Sequence, residues 1–173
     1  MNSFTAMAFV VGVVLFTFLQ LSSASVQTPS LKPCSGNDTS SIAEIKNLTV
    51  TDLQPGKRTT FNYTLELKDK LPENSKVKFD IKSGGEKVPC IFGIGSCEYN
   101  LCGGNDKIGT QISKPWNSKC PAEAGTRENS VQVTIPSVAN KFIKSPDFHV
   151  KIQAKNGGTT LLCVEFDVQV QKD

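Results

Sequence analysis

The chain has 173 residues, of which 38% are hydrophobic and 20% charged, with a formal net charge of +3 and a pI near 8.5. That length holds one ordinary domain rather than two. The small basic excess is spread as single lysines between apolar residues, which argues against a nucleic-acid partner.

Met1 to Ala24 carry no charged side chain, and Phe9 to Leu21 form a nearly unbroken apolar run. Such a run is too short to span a bilayer comfortably. Ser22-Ser23-Ala24 offers the small residues a signal peptidase needs, so residues 1–24 read as a secretory signal peptide. Residues 25–33 read as a short N-terminal segment and residues 34–173 as the folded domain. The expected destination is extracellular, with the lysosomal lumen as the other option. Asn37-Asp38-Thr39, Asn47-Leu48-Thr49 and Asn62-Tyr63-Thr64 are N-glycosylation sequons, which fits that route.

From there the dominant period is two, the mark of half-buried strands. Leu48 and Val50 stand out of phase with Asn47. Phe61, Tyr63, Leu65 and Leu67 alternate with polar residues, as do Val77, Phe79 and Ile81. The same holds for Val131, Val133 and Ile135, for Phe148, Val150 and Ile152, and for Leu162, Val164, Phe166, Val168 and Val170. Ser83-Gly84-Gly85 and Asn156-Gly157-Gly158 are tight-turn signals between such runs. No amphipathic helix longer than about two turns is visible. Asn62 falls on the polar parity of its strand, and a glycan must face water, so each strand has one wet and one dry face. The pattern predicts an all-β fold, an antiparallel sandwich of two sheets with their apolar parities facing each other.

The cysteines are Cys34, Cys90, Cys97, Cys102, Cys120 and Cys163, an even number behind a secretory leader, which reads as a set of disulfides. One lies near each end of the domain and four cluster between them. Catalytic machinery is not visible. The lone His149 sits on a polar strand parity, which reads as a solvated surface residue. Gly93-Ile94-Gly95-Ser96 lacks the Lys-Ser/Thr and following helix of a phosphate loop, and reads better as the turn of a disulfide-closed hairpin. No nucleophile elbow and no metal-spaced ligand cluster is present in the sequence. No enzyme, cofactor or metal is expected.

The stretch Lys87-Val88-Pro89-Cys90-Ile91-Phe92-Gly93-Ile94-Gly95-Ser96-Cys97, with Cys102 five positions later, resembles the ganglioside-activator branch of the secreted lipid-recognition (ML-domain) family. That family also includes the Niemann–Pick type C sterol-transfer protein. Ile45 to Val50 resembles the family's first strand, Cys120-Pro121 its later Cys-Pro step, and Leu162 to Phe166 its closing strand. The activator branch has a further cysteine pair between the positions of Cys102 and Cys120, which this chain lacks. The resemblance implies the pairing Cys34–Cys163, Cys90–Cys97 and Cys102–Cys120, one of fifteen possible. It also implies an immunoglobulin-like sandwich whose sheets splay around an apolar cavity for acyl chains, sterols or similar lipids.

On that reading Phe61, Tyr63, Leu65, Val77, Phe79, Ile81, Val133, Phe148, Val150, Ile152, Val164 and Phe166 contact lipid, although each fits plain core equally well. Phe142 and Ile143, flanked by Lys141 and Lys144, resemble the family's membrane-touching loop at the cavity mouth; the alternative is a loop folded back onto the core. Trp116 carries the same two readings, membrane contact or packing. The function expected is a monomeric, secreted lipid-binding and lipid-transfer protein for an acyl lipid or glycolipid. It would touch membranes transiently and present its cargo to a hydrolase or receptor that the sequence does not identify. The alternatives are a sterol carrier of the same fold and an immunoglobulin-like adhesion or receptor-binding module with a filled core.

Overall fold

Alternating runs become long strands wherever a neighbouring run can pair with them. The structure, a computed structural model, describes residues 24–34 and 41–171; the leader up to residue 23 and the Asn37 sequon lie outside the described residues. In chain order the strands are β1 (Val26–Gln27), β2 (Lys32–Pro33), β3 (Ala43–Thr51), β4 (Arg58–Leu67), β5 (Lys76–Ser83), β6 (Glu86–Lys87), β7 (Glu98–Asn100), β8 (Gly125–Thr134), β9 (Asp147–Asn156) and β10 (Thr159–Gln169). Among the described residues a single short helix, α1 (Lys107–Ile112), and two 3-10 turns, Lys114–Trp116 and Ser137–Phe142, interrupt them.

One sheet runs β1-β3-β4-β8. The other runs β2-β10-β9-β5, with β6 and β7 pairing along the far side of β5. Every pairing is antiparallel, so the fold is an immunoglobulin-like two-sheet sandwich. Residues 25–33 are part of it: β1 joins the first sheet and β2 the second.

The dry parity forms the interior. On β9 Phe148, Val150, Ile152 and Ala154 are buried; on β10 Leu162, Val164, Phe166 and Val168 are. Their registers put Val150 beside Phe166 and Ile152 beside Val164. The polar parity of the same strands carries His149, Lys155, Asp167 and Gln169 to the outer face, where they are exposed. Strand β8 begins at Gly125, before the apolar alternation of Val131 and Val133 starts. Its polar first half is held by an unbroken ladder to β4, from Gly125 opposite Leu67 to Thr134 opposite Arg58. Backbone pairing, which a hydrophobic pattern does not report, extends this edge strand.

Asn62 is exposed on the outer face of the first sheet. Asn47 is also exposed, at a register slip between Lys46 and Thr49 where its φ is 53°. Asparagine tolerates that left-handed backbone better than most residues.

The three disulfides are Cys34–Cys163, Cys90–Cys97 and Cys102–Cys120. The first ties β2 to β10; the second closes the hairpin after β6. That hairpin needs Gly95, whose φ is +107° and where a Cβ would lie 2.1 Å from the Pro89 carbonyl oxygen.

At the end of β5 a buried hydroxyl clamps the loop before β9. Ser83 Oγ donates to the Ser145 carbonyl at 2.8 Å and accepts from the backbone N–H groups of Lys144 and Ser145, both at 2.9 Å. Ser83 is 0% exposed, so water cannot replace it. Ser83→Ala is expected to cost about 2 kcal/mol, because it leaves two donors and an acceptor unsatisfied. Urea unfolding measures the loss, and amide exchange at Lys144 and Ser145 should quicken. Unaltered stability and exchange would show that the hydroxyl is not the clamp.

Candidate functional site

The dry faces do not meet everywhere. Between the sheets lies a cavity of about 260 Å³. For scale, an apolar cavity of roughly 150 Å³ stays dry and takes up small hydrocarbons. The cavity is lined from the first sheet by residues including Ile45, Phe61, Tyr63, Leu65 and Val133, and from the second by Val77, Phe79, Ile81, Phe148, Val150, Ile152 and Phe166.

Every strand residue anticipated as lipid-contacting therefore lines it, with one correction. Val164 is buried but is not among the lining residues. It sits on β10 opposite Pro33 of β2, on the side where β10 and β3 approach each other and the sheets close. There its side chain is spent on packing.

Accessibility separates lining from core among the rest. Ile45, Phe61, Tyr63, Phe79, Ile81 and Val133 point inward yet keep part of their surface accessible. Leu65, Val77, Phe148, Val150, Ile152 and Phe166 are buried against their neighbours and present only a small remainder.

Of the lining side chains, only Tyr63, Tyr99 and Trp116 carry a polar atom, and none carries a charge. Each polar atom is already engaged. The Tyr99 hydroxyl donates to the Gly93 carbonyl. Trp116 Nε1 donates to the Leu101 carbonyl at 2.8 Å. The Tyr63 hydroxyl accepts from Asn129 Nδ2 at 2.9 Å, and the same amide reaches the carbonyls of Gln111 and Ile112 at the end of α1, both at 3.0 Å. The Tyr63 phenolic proton has no acceptor among the described residues. Burial pushes the Tyr63 phenol up from its ordinary value, the Asn129 hydrogen bond opposing it. Burial first, and the Asp106 carboxylate second, push Tyr99 up to about 12. Both phenols are therefore neutral at physiological pH, and the cavity contains no ion to repel a hydrocarbon.

Of the two readings of Trp116, membrane contact or packing, the structure has the packed one. Trp116 is 8% exposed, bonded through its indole N–H and turned into the cavity wall. The 3-10 turn that carries it packs against β8, which brings the ring inside.

The gap between the edge strand β8 of the first sheet and the β5 side of the second is closed differently along its length. Toward β7 it is covered by α1, which contacts both β8 and β7. Asp106 caps that helix, accepting from the Gly109 N–H. Ile108 and Ile112, four residues apart and so on one helix face, line the cavity. The Gln111 side chain binds the edge of β8 through the backbone N–H and C=O of Gln132, at 2.8 and 3.1 Å.

Further along, two loops form the rim. The Cys90–Cys97 hairpin contributes Ile91 and Ile94, and the turn after β8 contributes Pro136, Val138, Phe142 and Ile143. Phe142 is 36% exposed and Ile143 partly buried, while Lys141 and Lys144 are exposed. The apolar side chains of this pair line the cavity from a partly exposed turn. Sequence reasoning missed the contributions of the hairpin and helix. The four-residue spacing of Ile108 and Ile112 was the signal for the latter.

His149 lies on the outer face of the second sheet, with Nδ1 2.9 Å from Asp167 Oδ1 and Nε2 3.9 Å from Glu165 Oε2. It is not among the residues lining the cavity. No cluster suited to a metal ion occurs among the described residues. No described helix is long and apolar enough to cross a membrane.

No curated protein matches the chain. Among solved structures it is similar to a Niemann–Pick type C2 protein from Japanese carpenter ant, at 11% identity over 85% of this chain and 96% of that one, with a TM-score of 0.45. It is also similar to the C-terminal domain of Wzt, at 13% identity over 84% of this chain and 79% of that one, with a TM-score of 0.43. The ML-domain family model matches residues 29–170, from β2 to the end of β10, and on that match the chain belongs to the ML-domain family, a lipid-binding fold.

Proposed function

We propose that this is a secreted lipid-binding and lipid-transfer protein that holds the hydrocarbon of an acyl lipid or glycolipid between its sheets, without catalysis of its own. The observation that carries this reading is the cavity. It is lined almost wholly by hydrocarbon, and its few polar atoms already bond within the protein. Burial of each methylene is worth about 0.8 kcal/mol, so a long chain needs little polar recognition to be retained. The Tyr63 phenolic proton supplies one hydrogen bond for a ligand carbonyl or hydroxyl. The headgroup would stay at the rim, available to a hydrolase or receptor. Phe142 and Ile143 form the membrane-touching lip, with Lys141 and Lys144 toward the headgroups. Three closed disulfides are what an oxidising compartment produces, which supports secretion.

The purified protein is expected to take up an apolar fluorophore saturably and to release it to added fatty acid or glycolipid. Organic extraction with mass spectrometry should find an acyl lipid. A sterol there would move the reading to a sterol carrier. A folded protein that never takes up the probe would return it to an adhesion module.

A further inference from the structure

Among the described residues four large hydrophobic side chains are exposed: Val26, Phe92, Val138 and Phe142. Three of them stand at the cavity rim or beside it. Phe92 is the extreme case, at 82% exposure. It sits at the tip of the Cys90–Cys97 hairpin, where Ile91 and Ile94 exchange both backbone hydrogen bonds and Phe92-Gly93 makes the turn. Its φ is 52° and that of Gly93 is 74°. Left-handed backbone at both central positions is a tight hairpin turn that suits Asn-Gly or Gly-Gly. A bulky aromatic there is an outlier, costly in backbone and costly in solvent exposure. The flanking Ile91 and Ile94 turn into the cavity while Phe92 is held outward.

The charge around this rim has one predominant sign. Lys57 and Arg58 enter β4 beside the turn after β8, since the Lys57 carbonyl accepts from the Ile135 N–H. Lys82 and Lys87 face each other across β5 and β6 at the root of the hairpin. Lys141 and Lys144 lie in the turn itself, and Gly84 of the β5–β6 turn packs within reach of the Lys144 side chain. All six are exposed and none forms an ion pair among the described residues. Glu86 is the only acid in the β5–β6 turn and hairpin, and the loop from Pro136 to Pro146 has none. An apolar prong inside a ring of unpaired cations complements a surface that is hydrocarbon beneath and anionic above.

We propose that the Cys90–Cys97 hairpin is a membrane anchor, with Phe92 entering the acyl boundary of an anionic bilayer and the ring of Lys57, Arg58, Lys82, Lys87, Lys141 and Lys144 meeting its headgroups. This rests on the lipid-transfer reading and adds to it a second point of attachment besides the Phe142 lip, and a preference for negatively charged lipid. The disulfide keeps the prong rigid, so little order has to be imposed when it inserts.

The test uses the full mature protein, with sedimentation on phosphatidylcholine vesicles and on vesicles containing phosphatidylserine. Phe92→Asn keeps a residue suited to the left-handed turn and removes the hydrocarbon. It is expected to lower binding to the anionic vesicles about tenfold or more, while uptake of a soluble apolar fluorophore in lipid-free buffer stays unchanged. Phe92→Trp should keep binding and shift its emission to the blue on anionic vesicles, above the constant background of buried Trp116. Lys87→Gln with Lys141→Gln should weaken only the binding that salt also weakens, by about fivefold per charge. Vesicle binding unaffected by Phe92→Asn would overturn the anchor and leave a protein partner as the occupant of the tip. Loss of fluorophore uptake in Phe92→Asn would also overturn it, by placing the ring in the cavity. If the wild type binds vesicles through Phe92 but takes up no probe, the anchor stands and the lipid-transfer reading fails.

Discussion

Removing the bridge between the ends of the domain, in a Cys34→Ala/Cys163→Ala variant, is expected to lower the unfolding free energy by about 5 kcal/mol. The bond closes a loop with a sequence separation of 129, against 18 for Cys102–Cys120 and 7 for Cys90–Cys97. Chain entropy alone then ranks the three at about 5, 3 and 2 kcal/mol. Local structure does little to compensate for the first. Strand β2 has two residue pairs with β10, and the Cys34 N–H to Cys163 carbonyl bond is a long 3.3 Å. A domain of this size has about 5–15 kcal/mol in all, so the variant should lose some 10–20 °C of melting temperature. Urea unfolding of the three double-alanine variants checks the order. An equal loss on opening Cys90–Cys97 would contradict the entropic ranking and point to native-state contacts instead.

The long strands were legible because a period of two survives wherever one face is dry. Phe148, Val150 and Ile152, or Phe166 and Val168, need no tertiary knowledge to be placed together. Strands β1, β2, β6 and β7 have two or three residues each, too few for any period to show. They exist because longer neighbours offer unpaired edges. The disulfide pairing came from resemblance, not from spacing, and the structure has that pairing.

The site was legible only as a set of inward-facing residues. Parity says that Phe61 and Val164 both point inward; it cannot say that the sheets have parted at Phe61 and closed at Val164. Trp116 is the same lesson at a loop, where the sequence left membrane contact and packing both open and packing against β8 decides for the second. The exposure of Phe92 is not legible in the sequence because its signal is a backbone angle. The Phe-Gly pair between Ile91 and Ile94 marks a turn, yet only the positive φ shows that the phenylalanine is held away from the protein.

The double variant Ile45→Phe/Val133→Phe is expected to raise stability while destroying lipid uptake. Both positions point inward from the first sheet, on β3 and β8, and both keep accessible surface that opens on the cavity. A phenylalanine at each adds hydrocarbon where there is now space. Filling a cavity in this way commonly stabilises a protein by about 0.5–2 kcal/mol, because the lining atoms regain partners they lack. The same atoms occupy volume that a ligand would take. Excluding two or three methylenes of a bound chain removes roughly 2 kcal/mol of burial, a loss of about thirtyfold in affinity for an apolar fluorophore. The two readouts move in opposite directions only if the space is real. In a filled core the added rings would have nowhere to go, and overpacking would cost about 1–3 kcal/mol. A thermal melt and a fluorophore titration on the same preparation therefore separate the cases. A higher melting temperature with lost uptake identifies a ligand cavity. A lower melting temperature in a protein that never bound the probe identifies a packed sandwich, and the lipid-transfer reading falls with it.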